Sequence, residues 1–537
     1  MKKGLIKLAF VCLAFSFLLV SCKKDFNINS SEEDITLASL DYKDVLPAAI
    51  SNTAKIVAAD WKFLQNWMGY WARSGSYQNI QDEESYHFTN TFPTSNNPWT
   101  DLYYNAASYN FVKQNAQKSG AGFYEAISRI MIAHDFQILV DVYGNIPYSE
   151  SLNGVNNRTP KYDDGLVIYQ DLFRQLDTAI SLLQGSSAAA ENNPKISSTD
   201  LVFKGNADMW IKFANTLKLR MLVHTADVPE INKQAEMDKI NQFSEPFFGT
   251  KETAKINPGY SSSKPNPFYR AYAITENGTL ATNADGVKGN FFALGNGTYP
   301  GYYQYDLDPR VDKFYNKPDV NTNADVYEPA TDHRGAPYGF VSGSVSGYEG
   351  TKLSAINQID KTSPIIGLNP TGASSDAWII TSVESLFLQA EARERGIITD
   401  GPSAKELLIS AINESFTSLG LTEADALTYL EANATYPDVD YDAASDKMLT
   451  IISQKWFAMN GIAPYEVWAD YRRTDIQYGV EAGAPLADYF FSILSGAETT
   501  VPVRLFYPQS EYSYNETNVN SQGVIDVFTS KIFWDIQ

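Results

Sequence analysis

Apolar residues along this chain recur at helical spacing in two blocks, separated by a stretch in which the rhythm disappears. The helical pattern begins near Tyr42, and Trp61, Leu64, Met68 and Trp71 keep an i, i+3, i+7, i+10 beat that predicts a helix in this region. It returns at Phe123, where Ile127, Ile130, Met131, His134 and Ile138 share one face until Asp141-Val142-Tyr143-Gly144, with Gly144 able to take a left-handed cap. His134 sits on that apolar stripe and reads as a satisfied core histidine rather than a ligand. Helices over 164–183 and 201–224 follow, the second carrying Trp210, Phe213, Ala214, Leu217 and Met221 on one side. The second block opens at Thr381, which with Glu384 fits a capping box ahead of Val383, Leu386, Phe387 and Ala390; Ser403 and Glu406 fit another. A helical hairpin follows: Ile452, Trp456 and Met459 form the first stripe, Gly461 breaks it, and Pro464 and Trp468 start and anchor the second helix. Glu466, Asp470, Arg472 and Arg473 crowd its end and read as a structural ion-pair cluster.

Two stretches break the pattern. Residues 74–99 are loop-like yet carry Tyr77, Tyr86, His87, Phe88 and Trp99. Such rings either pin a long loop to the helices or form a platform for the CH faces of sugars, with nearby amides to bond hydroxyls. Between about Lys251 and Asp376, Gly, Pro, Asn, Ser and Tyr dominate, and turn pairs such as Asn296-Gly297 punctuate the segment. An irregular stretch of this length predicts a functional insert with short strands and helices. Tyr299, Tyr302, Tyr303, Tyr305 and Tyr338 lie within it, as does Asp308-Pro309-Arg310, which reads as an Asp-initiated turn with an ion pair. The candidate ligand-binding residues are Trp71, Tyr77, Trp99, Tyr302, Tyr303 and Tyr338.

The N-terminus changes the picture of where the chain works. Met1-Lys2-Lys3 is a basic start, Leu5 to Val20 is apolar, and Leu19-Val20-Ser21-Cys22 fits a bacterial lipobox, so residues 1–21 are expected to leave and Cys22 to carry lipid. Residues 22–34 form a polar tether, and the Ser-Cys-Lys-Lys-Asp run is similar to surface-export signals of Bacteroidetes lipoproteins. Cys12 goes with the leader, which removes any disulfide or cysteine metal site. Net charge is -21, or -24 without Lys2, Lys3 and Lys7, so nucleic acid is an unsuitable partner for want of a basic surface. Aromatics reach 13% with 33 Tyr, more phenols than a dry core readily hides. No cofactor motif is present: no P-loop, no G-x-S-x-G, no H-E-x-x-H, and no metal-ligand spacing among His87, His134, His224 and His333. Asp438, Asp440 and Asp442 share the opening of a calcium loop, but Ala443 and Leu449 replace its Gly and closing Glu. A glycosidase carboxylate pair leaves no spacing rule and stays open.

Six blocks in order, spanning nearly the whole mature chain, carry a family resemblance. Asp141-Val142-Tyr143-Gly144-Asn145-Ile146-Pro147-Tyr148, Trp210-Ile211-Lys212-Phe213-Ala214-Asn215 through Arg220, Asp308-Pro309-Arg310 and Thr381 through Gly396 are the first four. Gln454-Lys455-Trp456 with Glu466, Trp468 and Asp470 to Thr474 is the fifth, and Val501 to Pro508 with Glu511 and Asn515 the last. Together they resemble the SusD/RagB nutrient-binding outer-membrane lipoproteins, departing at Asn145 where Asp is common. The resemblance implies a mainly α fold with tetratricopeptide-like helix pairs, although no clean repeat period is visible. One domain is expected over 35–537, with helical scaffold at 35–250 and 376–537 and a loop-rich, ligand-facing insert at 251–375. It also implies a non-enzymatic, lipid-anchored surface protein that captures an oligosaccharide for a SusC-like TonB-dependent transporter. A peptide ligand, a surface glycoside hydrolase or a purely structural lipoprotein are the alternatives.

Overall fold

The structure of the protein is a computed structural model, and it describes residues 40–59, 61–94, 97–190, 194–281, 286–294, 308–318, 333–341, 350–356, 371–474, 490–494 and 496–536. The leader, Cys22, the tether, Tyr299, Tyr302, Tyr303 and Tyr305 lie outside the described residues. Among the described residues, no helix is long and apolar enough to cross a membrane.

The longer helices follow the hydrophobic stripes. The first block holds α1 (Tyr42–Ala59), α2 (Lys62–Trp67), α3 (Pro98–Ser119), α4 (Gly122–Tyr143), α5 (Gly165–Ala190) and α6 (Ala207–His224). The second holds α7 (Ser382–Glu394), α8 (Ala404–Ser418), α9 (Glu423–Ala432), α10 (Lys447–Ala458) and α11 (Pro464–Thr474). Helices adjacent in sequence pack together: α3 on α4, α4 on α5, α5 on α6 and α7 on α8. The α3–α4 link shows why. Gly120 ends α3 in the left-handed region (φ 68°) and only Ala121 follows, so the next helix must run back along the first. Contacts of α6 with α7 and of α11 with α4 and α6 then join the two blocks, and one apolar core runs from Leu46 to Trp534. A smaller core of Phe387, Ile412, Phe416 and Ile451 lies among α7, α8 and α10.

Where elements start and stop, backbone chemistry corrects the periodicity. The helix expected through Trp71 ends at Met68 because Gly69 turns to φ 75°, where a Cβ would also sit 2.8 Å from the Phe292 ring. Likewise α6 begins at Ala207 and not near Leu201, since Lys204 and Gly205 both have positive φ and the Asn206 side chain accepts from Met209 N. Gly144 closes α4 with φ 77° and ψ -121°, a combination open to glycine but not the left-handed cap. Ser403 and Glu406 form a complete capping box. Thr381 accepts from Glu384 N, but the Glu384 carboxylate turns away to Arg220.

Short antiparallel ladders link described residues of 251–375 to residues on either side of that stretch. Strand β1 (Trp71–Arg73) pairs with β3 (Val287–Gly289), Trp71 opposite Gly289, and β2 (Ala254–Ile256) pairs with β4 (Ala377–Ile380).

Candidate functional site

Charged side chains from distant sequence blocks meet where α4, α6, α7, α10 and α11 converge. Arg220 on α6 donates from Nε to Glu384 at 2.8 Å, lies 3.3 Å from Glu466 and donates from Nη1 to Gln137 at 3.1 Å. One turn along, His224 reaches Asp141 at 3.1 Å through Nδ1 and Glu466 at 3.0 Å through Nε2. Lys455 pairs with Asp470 at 2.9 Å, and Arg473 grips both Asp470 and Glu391. Arg472 lies over the Trp468 and Trp534 rings and donates to the Asp141 and Val503 carbonyls. At one edge Arg310 holds Asp308 at 2.6 Å and Gln454 at 3.1 Å, its guanidinium over Phe416 and Phe457. Each ion here has lost its water, at a cost of several kcal/mol that only these partners offset.

The electrostatics follow from burial working against proximity. Burial alone would strip the proton from His224, but Glu466 and Asp141 outweigh it and push the imidazolium up to about 9. Burial likewise favours a neutral Glu466, yet Arg220 and His224 hold it well below the usual carboxylate range. For Glu384 burial wins and its pKa rises; its second oxygen has no hydrogen-bond partner among the described residues. Arg473 keeps the Glu391 carboxyl down at about 2 against the opposing effect of burial.

Two chemical uses of this hub can be tested on its geometry. Asp141, His224 and Glu466 place one ligand atom each within 4.8 Å of one another, as a metal site would, although sequence spacing gave no sign of it. Both ring nitrogens, however, face carboxylates, and the raised pKa keeps both protonated, whereas a metal needs the lone pair of a neutral imidazole. The donor set fits an ion pair. As for catalysis, Glu384 and Glu391 are 0% exposed, Glu466 1% and Asp470 2%, so a substrate has no access to these carboxylates.

The aromatic candidates are placed differently from expectation. Trp71 lies in β1 with 2% exposure, donating from Nε1 to Asn460 at 3.2 Å and set edge-on to Tyr272. Trp99 sits in the first turn of α3, its start fixed by the Asn97 cap and Pro98, and packs on Tyr103 and Tyr143. Tyr338 is buried and donates to the Glu83 carbonyl at 3.0 Å. All three rings are buried in this structure, unlike the exposed stacking surface expected of them. The loop rings take the pinning role: Phe88 and Phe92 stack on Trp67 at 5.7 and 5.9 Å between centroids. Tyr77 alone of the described candidates is half-buried, its ring beside Gly286, and Tyr302 and Tyr303 lie outside the described residues.

Sequence reasoning missed a polar cleft of about 320 Å³ among α3, α4, α5 and the turn at 149–153, lined in part by Lys113, Arg129, Tyr148, Asp171 and Gln175. Its lining comes from the polar sides of three helices, and no motif links them; the Glu125/Arg129 pair at i, i+4 is the faint signal.

A family model described as "Starch-binding associating with outer membrane" matches residues 36–508. The chain belongs to this SusD-like family. Its fold is that of solved SusD homologues. A chitin-binding homologue from Flavobacterium johnsoniae is 21% identical with TM-score 0.69, covering 93% of this chain and 99% of its own. A SusD homologue from Bacteroides vulgatus is 20% identical with TM-score 0.68 over 89% and 93% of the two chains. A SusD/RagB family protein from Bacteroides thetaiotaomicron is 20% identical with TM-score 0.68 over 93% and 99%. No curated protein matches the chain. On this SusD-like chain the sequence blocks acquire a physical meaning. Asp141, Arg220, Glu384, Glu391, Lys455, Glu466, Asp470 and Arg473 come from four of the blocks and belong to the buried hub together with His224 and Arg472. Arg310 and Gln454 join the turn block to the hairpin, and Arg504 of the last block donates to the Tyr143 carbonyl.

Proposed function

We propose that this SusD-like protein is a non-catalytic surface lipoprotein, anchored through Cys22, that captures an oligosaccharide and passes it to a SusC-like TonB-dependent transporter for polysaccharide utilisation. The observation that carries this reading is the match of residues 36–508 to a family described as starch-binding and associating with the outer membrane. The burial of the hub supports it, since those carboxylates are paired with cations inside the scaffold and out of a substrate's reach. On this reading ligand contact falls to Tyr77 and to Tyr302 and Tyr303. Flat rings and amides suit the apolar faces and hydroxyls of sugars.

Because a fold hosts many ligands, specificity has to be measured. Calorimetric titration of the protein lacking residues 1–22 against malto-oligosaccharides, chito-oligosaccharides and peptides, with product analysis of each sample, tests the proposal. Saturable binding of one sugar class with intact ligand recovered is the expected result. Cleaved product would overturn the non-catalytic reading, and peptide binding alone would overturn the sugar class.

A further inference from the structure

Tyr77 does not line the polar cleft among α3, α4 and α5. Its floor is apolar, from Ile132 and Leu152, and its volume of about 320 Å³ sits at the low end of the ~300–1,000 Å³ typical of small-molecule pockets, which limits it to a ligand of one ring or so. Its charges are unevenly satisfied. Asp171 accepts from the Tyr148 hydroxyl and from Gln175 and is paired with Arg174 at 2.8 Å. Arg129 is paired with Glu125 at 2.7 Å and donates to Gln175. Lys113, half-buried on α3, has no hydrogen-bond or ion-pair partner among the described residues; burial and nearby Arg129 pull its pKa below the ordinary lysine range, against the opposing pull of Glu125 and Asp171. Of the charged residues lining the cleft, Lys113 and Arg129 are cations and Asp171 the carboxylate, a local positive excess in a chain of net charge -21. At the rim Gln114 and Asn153 present side-chain amides without hydrogen-bond partners among the described residues, and such amides can serve hydroxyl groups.

From this arrangement we infer that the cleft is a second binding site, for a single acidic sugar unit, with its carboxylate on Lys113 and its hydroxyls on the Gln114 and Asn153 amides. A lone ammonium in a partly desolvated pocket gains a charge-assisted bond from a carboxylate that a neutral sugar cannot supply. The apolar floor then meets the ring face. The site stands whether or not the insert binds an oligosaccharide.

Titration of the protein with glucuronate, glucose and acetate, followed by calorimetry or ligand-observed NMR, tests the assignment. The expected result is saturable glucuronate binding, with glucose and acetate each weaker by about tenfold or more. Lys113→Gln should bring glucuronate down to the glucose level, Lys113→Arg should restore most of the difference, and Tyr77→Ala should leave it unchanged. Thermal unfolding of each variant establishes that the fold is retained. Equal binding of glucose and glucuronate, equal binding of acetate, an unchanged affinity in Lys113→Gln, or no saturable glucuronate binding would each overturn the inference.

Discussion

The buried hub and the surfaces left for ligands treat charge and aromatic area in opposite ways. In the hub Arg220 is held by Glu384 and Glu466 and His224 by Asp141 and Glu466, all on other helices, while Arg473 is held by Glu391 of α7 and by Asp470 of its own helix. In the cleft Lys113 has no hydrogen-bonded carboxylate among the described residues, and Tyr77 is half-buried. Side chains that lock helices together are spent on one another, and on the proposed reading a ligand meets side chains outside that network. Residues that mark the family can therefore be scaffold residues, and what distinguishes one member's ligand has to lie outside them.

The contrast is broken most forcefully at Arg220. Arg220→Met leaves Glu384 and Glu466 buried with one cation fewer, and urea unfolding should lose about 3–5 kcal/mol, the usual cost of breaking a buried pair. A loss under ~1 kcal/mol would mean that the hub is not what holds the helices. Trp71→Ala should cost a similar ~3–5 kcal/mol, as expected for an enclosed indole and not for a stacking platform. Next comes pH. The folded pKa of His224, about 9, lies above the ordinary 6.5, so its contribution is complete below pH 6.5 and is lost as pH rises through 9. Stability should fall by up to ~3 kcal/mol across that window, and His224→Gln should flatten this part of the profile. A profile unaltered by the substitution would contradict the ion-pair assignment. The smallest stability effect is expected at Tyr77, where Ala should change unfolding by less than ~1 kcal/mol yet weaken oligosaccharide binding about tenfold.

How much of this was legible depends on what kind of signal each feature leaves. Helix positions were, because burying one face imposes a 3.6-residue period, and α4, α7, α8 and α10 lie where Ile127, Val383, Ser403 and Ile452 indicate. Trp71 misled because its place in the beat continues the stripe of α2, while Gly69 with positive φ has already ended the helix. The ion pairs of Glu466, Asp470 and Arg473 were legible as a crowd of charge, and the Asp308–Arg310 turn likewise. Their partners were not: Arg220 and Glu384 are 164 residues apart, and nothing in local spacing records that. The burial of Trp99 was not legible because it opens α3 and is not part of the loop, and that of Tyr338 for a further reason. A ring on irregular backbone has the same sequence signature whether it faces inward or outward, and only the neighbouring helices decide. The cleft had no signature, since Lys113, Arg129 and Asp171 each look like ordinary solvated positions on separate helices.

On the proposed reading the signature carboxylates hold the scaffold while ligand is bound elsewhere. The most direct test of that reading is the oligosaccharide affinity of Glu466→Gln, measured below its unfolding temperature beside the unaltered protein. The account predicts lower thermal stability with affinity kept within about twofold. Abolished binding in a variant that remains folded would contradict it.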